Sequence, residues 1–226
     1  MVLVMSEIKK PALVVDGSGN RFFAGVLNSE QGWSAQITAN EPPLESLFQT
    51  VKKVLKDSGI GLEDIQSFIY CEGPGSVLGL RLCAMAVETW SRLTEEKPLF
   101  YSYNSMKLTA SALQHKVGIQ GEALLISDWK KGVWNSLLIR DGQILEQASI
   151  DTNELDSWQG ELFHLPARKG WQSPPAKAQT VEYCMSQFPE LSAHYPLLHE
   201  TESVELSTAG ANSFQKWTAE RHRAAT

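Results

Sequence analysis

The sequence predicts an α/β protein of two lobes, each a sheet with helices laid on it. Three observations carry this. Apolar runs of strand length alternate with longer stretches whose apolar residues recur at helical spacing. The order is β-β-β-α-β-α-β-α and then β-β-β, an opening hairpin followed by helical crossovers. The pattern changes near Asn104, which divides residues 1–104, an N-terminal lobe, from residues 105–226, a smaller and more divergent lobe with a tail.

The first lobe is the more legible. "ALVVDGSGNRFFAGVLN" reads as strand, tight turn and strand, with an apolar run over 12–15 ending at Asp16. A third strand is expected over 33–38. In "PPLESLFQTVKKVLKDSG" a proline suits the first helical turn, Leu44, Leu47, Phe48, Val51, Val54 and Leu55 recur at helical spacing, and Gly59 stops the helix. "SFIYC" is a short buried strand, and a helix from Val77 to about Thr94 follows the loop 72–76. The next strand is 98–103, with Asn104 or Ser105 capping a helix to about Lys116. In the second lobe "EALLISD" and "GVWNSLLIRDGQILEQA" read as strands, with Asp141-Gly142 as a hairpin turn. Beyond Asp151 the pattern weakens, and "AKAQTVEYCMSQF" is expected to be a helix.

Composition excludes several classes. At 42% hydrophobic residues the 226-residue chain can bury a core, so it is not a disordered protein. A net charge of −6 repels phosphate backbones and argues against autonomous nucleic-acid binding; the mildly basic "KWTAERHRAAT" reads as a solvated end. Three cysteines without a CxxC pair fit reduced thiols in a cytosol. The lysines of "MVLVMSEIKK" follow a short apolar run, the wrong order for a signal peptide, and no uncharged run reaches membrane-spanning length. A soluble, cytoplasmic protein without direct membrane contact is expected.

"YCEGPGSVLGLRLCAMAVETW" holds the chemistry in question. Gly73, Gly75 and Gly79 lie between a strand and a helix, where backbone without Cβ atoms approaches an anion and helix N–H groups point at it. Yet the spacing is neither GxGxxG nor GxxxxGK[ST], and a sharp strand-to-helix turn accounts for the same glycines. The helix that follows is apolar on nearly every side, with only Arg81 and Glu88 charged before Arg92. Either it is sandwiched inside its own domain or its surplus surface meets another protein or a second copy. No active site can be assembled otherwise. The histidines form no HExxH, "GPGSVLG" is not a GxSxG elbow, and Cys71 has apolar neighbours. Asp16, at a strand end beside a Gly-Ser turn, sits where a kinase of the actin/hexokinase type places a phosphate-facing acid. Asp128 is the one candidate for a second acid, and both read better as turn acids.

"ALVVDGSGNRFFAGVL" and "LEDIQSFIYCEGPGSVLGLRL" together resemble the TsaB (YeaZ) family. That family opens with a strand into Asp-Thr-Ser and carries Gly-Pro-Gly-Ser-Phe-Thr-Gly-Leu-Arg-Ile-Gly after its fourth strand. The matching positions are Asp16, Gly17 and Ser18, then Gly73, Pro74, Gly75, Ser76, Gly79, Leu80 and Arg81. "ISDWKKGVWNSLL" resembles the family's Asp-Ala-Arg-x-x-Glu-Val-Tyr strand turn, one residue short, and 202–207 sits where the family ends in a short strand. The departures are Gly17 for Thr, Val77-Leu78 for Phe-Thr and Leu82-Cys83 for Ile-Gly.

The resemblance implies a two-lobed actin/hexokinase-like fold (ASKHA, ribonuclease H-like) without working catalysis, no cofactor and no metal. It implies a chain required by TsaD, which threonylcarbamoylates tRNA adenosine 37, with TsaE joining and tRNA met only through the complex. Alone, the chain is expected to be a homodimer. Asp16, Gly17, Ser18, Gly73, Gly75, Ser76 and Gly79 would be vestiges of a phosphate loop. Leu44, Leu47, Phe48, Val51, Leu55, Leu80, Ala84, Val87 and Trp90 would form the partner interface, so that Leu80→Glu or Val87→Glu abolishes association while the fold survives. Two rivals stay open: a self-associating paralogue that has lost TsaD, and a stand-alone ATP-dependent enzyme of the same fold.

Overall fold

The structure, a computed structural model, describes residues 2–3, 8–29, 32–166 and 172–206. The described chain runs β1 (Val2–Leu3), β2 (Ala12–Asp16), β3 (Phe23–Ser29), β4 (Gly32–Thr38), α1 (Pro43–Ser58), β5 (Ser67–Gly73), α2 (Val77–Trp90) and β6 (Leu99–Asn104). It continues α3 (Ser105–Val117), β7 (Glu122–Lys130), β8 (Val133–Arg140), β9 (Gln143–Asp151), α4 (Thr152–Ser157), β10 (Glu161–Leu165), β11 (Gln179–Thr180), α5 (Phe188–His194) and β12 (Leu198–Thr201).

Two sheets result, ordered β1-β12-β6-β5-β2-β3-β4 and β11-β10-β7-β8-β9. Their centres repeat one design. In the first, β2, β3 and β4 form an antiparallel meander, and β5 then β6 add in parallel on the other side of β2. In the second, β7, β8 and β9 form the meander, and β10 then β11 add in parallel beside β7. This duplicated topology is the two-lobed actin/hexokinase-like fold. The lobes are not sequential at the C-terminal side: β12 leaves the second lobe's run of sequence and pairs with β6 in the first sheet.

Local chemistry explains the elements. β2 is buried on both faces, as a central strand between parallel and antiparallel neighbours must be, and it reads as an unbroken apolar run. Pro43 opens α1. Gly59, in the left-handed region at φ 69°, closes it by donating to the Lys56 carbonyl while Ile60 donates to that of Leu55. Asn104 caps α3 by accepting from the amides of Met106 and Lys107. Asp141 and Gly142, both at positive φ, turn β8 into β9. α3 lies between the sheets, with Leu108 in the first lobe's core and Met106 and Ala110 in the second's.

Four expectations are corrected. α2 ends at Trp90 instead of near Thr94, because the hydroxyls of Thr89 and Ser91 take the carbonyls of Met85 and Glu88. The segment 176–188 is not a helix. Its β-branched Thr180 and Val181 join the edge of the second sheet, Val181 donating to the His164 carbonyl, and the chain stays extended to a 3-10 turn at Met185–Gln187. The closing strand is Leu198–Thr201, not 202–207. After Thr201 the chain leaves the sheet, the Glu205 amide donating to the Tyr70 hydroxyl and Val204 packing on the core; Ser207 and the basic tail lie outside the described residues. The fourth concerns the interface helices. Leu47, Val51, Leu55, Leu80, Val87 and Trp90 are buried in the chain's own core, α1 packing on β3 and β4 and α2 on β2 and β5. They are not a surface.

What α1 and α2 expose instead is Leu44 (65%), Phe48 (68%), Val77 (63%), Leu78 (51%) and Met85 (66%), with Ala84 half-buried. Val87→Glu, a charge at a fully buried site, is therefore expected to unfold the chain, whereas Phe48→Glu should leave its thermal midpoint within a few degrees. Circular dichroism melts of the two variants check this.

Candidate functional site

β2 delivers Asp16 to the end of the central strand, on the face shared by Ala12 and Val14, where it is only 2% exposed. A carboxylate so placed needs donors. It has three: the Ser18 amide on Oδ1 at 2.6 Å, and on Oδ2 the hydroxyls of Tyr103 and, at 2.5 Å, Tyr183. Tyr103 stands on β6, and Tyr183 on the extended segment that follows β11. Burial, and then the Asp16 charge, push both phenols well above the usual tyrosine value, which keeps them as donors. The same two causes raise Cys71 and Cys83, so both thiols are held protonated.

The glycine loop closes onto this turn. Gly73 has φ 123°, a conformation open to glycine, and lets the chain leave β5 sharply. Ser76 caps α2, accepting from the Gly79 amide at 3.3 Å, and its own amide donates to the Ser18 carbonyl at 2.7 Å. A Cβ on Gly79 would stand 2.0 Å from the Gly17 oxygen, and one on Gly75 2.6 Å from Ser18. The glycines thus let two stretches of backbone touch, and the Ser18 carbonyl accepts where a phosphate oxygen would. All seven positions taken as vestiges of a phosphate loop meet in one junction.

Gly17 and Cys83 fit closely against each other. A Cβ on Gly17 would lie 2.9 Å from Cys83 Sγ and 2.7 Å from the Gly79 oxygen. The missing side chain at Gly17 thus leaves room for the Cys83 thiol.

Asp128 does not join Asp16. It lies on the face of β7 shared by Leu124 and Ile126, away from α3, with its carboxylate 4.0 Å from His164 Nε2. His164 is 7% exposed and its ring meets Trp134 edge-on. No group of three metal-ligating side chains occurs among the described residues. Nor is any helix of these residues long and apolar enough to cross a membrane. Tyr103, Tyr183 and His164 were not singled out from the sequence. Only the tertiary structure brings hydroxyls 87 and 167 residues away to one carboxylate.

At the apolar face, α1 and α2 touch where Gly79 meets Pro43 and where the Phe48 and Trp90 rings stand 6.0 Å apart. Leu78, Leu82 and Met85 follow i, i+4, i+7 along α2 and continue the stripe begun by Leu44 and Phe48.

Gly79→Ala is expected to cost about 3 kcal/mol in urea unfolding, because backbone must move to admit the methyl; Gly19→Ala, with open space around it, should be near neutral. A second expectation concerns acid. Burial lowers the His164 pKa and Asp128 opposes this less strongly, so the folded chain favours the neutral ring. The unfolded chain binds the proton first, and stability falls as pH drops below about 6.5. Unfolding at pH 7.5 and 5.5 should show this loss, reduced in His164→Gln.

Residues 38–127 match the model of the family described as TsaD, tRNA N6-adenosine threonylcarbamoyltransferase. No curated protein matches the chain. Among solved structures, YeaZ from Pseudomonas aeruginosa aligns with a TM-score of 0.58 at 16% identity, over 81% of this chain and 89% of that one. A structure described as an uncharacterized protein with similarity to peptidase YEAZ, from the same organism, aligns with the same figures. The resemblance read from the glycine motif is borne out, and the chain is a TsaB (YeaZ)-like protein in fold, with a TsaD-family match across the segment that carries the motif.

Proposed function

We propose that this chain is a non-catalytic subunit of the machinery that threonylcarbamoylates tRNA adenosine 37, acting by binding TsaD, with TsaE joining the assembly. The observation that carries this reading is the exposed apolar face of α1 and α2 beside a glycine loop closed by its own backbone. Covering each of Leu44, Phe48, Leu78 and Met85 contributes about 2 kcal/mol of apolar transfer before the costs of association. A protein with net charge −6 meets tRNA through the complex rather than alone.

The same face favours a second reading, a homodimer, since an isologous contact needs only one self-complementary patch. A stand-alone ATP-dependent enzyme is the weakest of the three. Asp16 already accepts three hydrogen bonds, and the Ser76 amide is taken by Ser18.

Co-purification of the chain with TsaD and TsaE of its own cell, with the complex mass read by light scattering, tests the proposal. A defined heteromer is expected, and Phe48→Glu combined with Met85→Glu should weaken it at least about thirtyfold while each variant stays folded. A homodimer indifferent to TsaD would overturn it. ATP turnover lost in Asp16→Ala would instead restore the enzyme reading.

A further inference from the structure

A line of short contacts runs from the second sheet to the first turn of α2. Residues 181–187 form a strap between the sheets. At one end the Val181 amide donates to the His164 carbonyl on β10; at the other, the Trp33 indole donates to the Ser186 carbonyl at 3.1 Å, and Phe188 packs on Tyr103 and Trp33. Tyr183, midway, packs against the cores of both lobes and donates to Asp16 Oδ2 at 2.5 Å. Asp16 Oδ1 holds the Ser18 amide at 2.6 Å, the Ser18 carbonyl holds the Ser76 amide at 2.7 Å, and Ser76 caps α2 through Gly79. The line has little slack, because the backbone of Gly17 lies directly against Gly79.

We propose that Tyr183 is a positioning residue: through Asp16 and Ser18, the strap from the second sheet sets where α2 begins and hence how its apolar face is presented. The acid at the end of β2 serves as a joint between the lobes. Tyr103 shares Oδ2 but stands on the first sheet, so it steadies the carboxylate without linking the sheets. This inference concerns the position of α2 and stands whether or not TsaD is the partner.

Amide hydrogen exchange on the full chain tests it. In Tyr183→Phe, which removes one hydroxyl, the Ser76 and Gly79 amides should exchange about tenfold faster, the effect of losing one charge-assisted hydrogen bond. Tyr195→Phe, beyond α5, should leave them unchanged. A hydroxyl that served only its surroundings would speed exchange at 181–187 alone, and that result would overturn the proposal. Asp16→Asn, which keeps the shape and removes the charge, is the second variant. Exchange must rise both at 181–187 and at residues 76 and 79, and a rise at one end only would also overturn it.

Discussion

One buried carboxylate organises this molecule. Asp16 ends a strand whose every residue is buried, and an ionised group there is tolerated only with donors around it. The three it has come from three parts of the chain: the turn after its own strand, β6, which lies beyond β5 in the same sheet, and the strap from the second sheet. Satisfying the charge therefore fixes the turn, the pairing face of the sheet and the approach of the lobes together. The two phenols can do this because burial beside a negative charge keeps their protons in place.

The glycine loop belongs to the same constraint. Once the turn 17–18 is drawn in, the start of α2 must accommodate it, and only glycine at 17, 75 and 79 leaves room for backbone against backbone. The donor a helix start offers to an anion is given to Ser18, and a serine side chain caps the helix from within. The strand-to-helix glycine loop is a structural seam. Asp128 underlines this, since it lies near the end of the corresponding strand of the second sheet but faces the other way, toward His164 and Trp134.

The helices that flank the seam divide their apolar residues between two tasks. One side of α2 closes over β2 and β5, and the other, with Leu44 and Phe48 of α1, remains open. The strong stripe of α1 and the all-round apolarity of α2 thus have different causes. In α1 the charged side faces water, whereas α2 carries a second apolar stripe beside Arg81 and Glu88. A surface of this kind on an otherwise acidic protein is suited to being covered.

By itself the sequence determined the element order from residue 12 through residue 151, the caps at Asn104 and Gly59, the hairpin at Asp141-Gly142 and the glycine seam, because each rests on local backbone preference or on periodicity. It also held the capping-box signal of α4, Asp151 with Glu154, which the weak pattern beyond 151 obscured. Which side of α2 is core could not be read, since a helix apolar all round has no preferred face until a sheet is laid against it. The strand character of 179–180 and the return of β12 to the first sheet depend on partners distant in the chain. So does the role of Asp16. A lone acid at a strand end reads alike as catalyst, turn or joint, and only the arrival of Tyr103 and Tyr183 on one oxygen decides between them, because hydrogen bonds between distant residues are made by the fold and leave no period in the sequence.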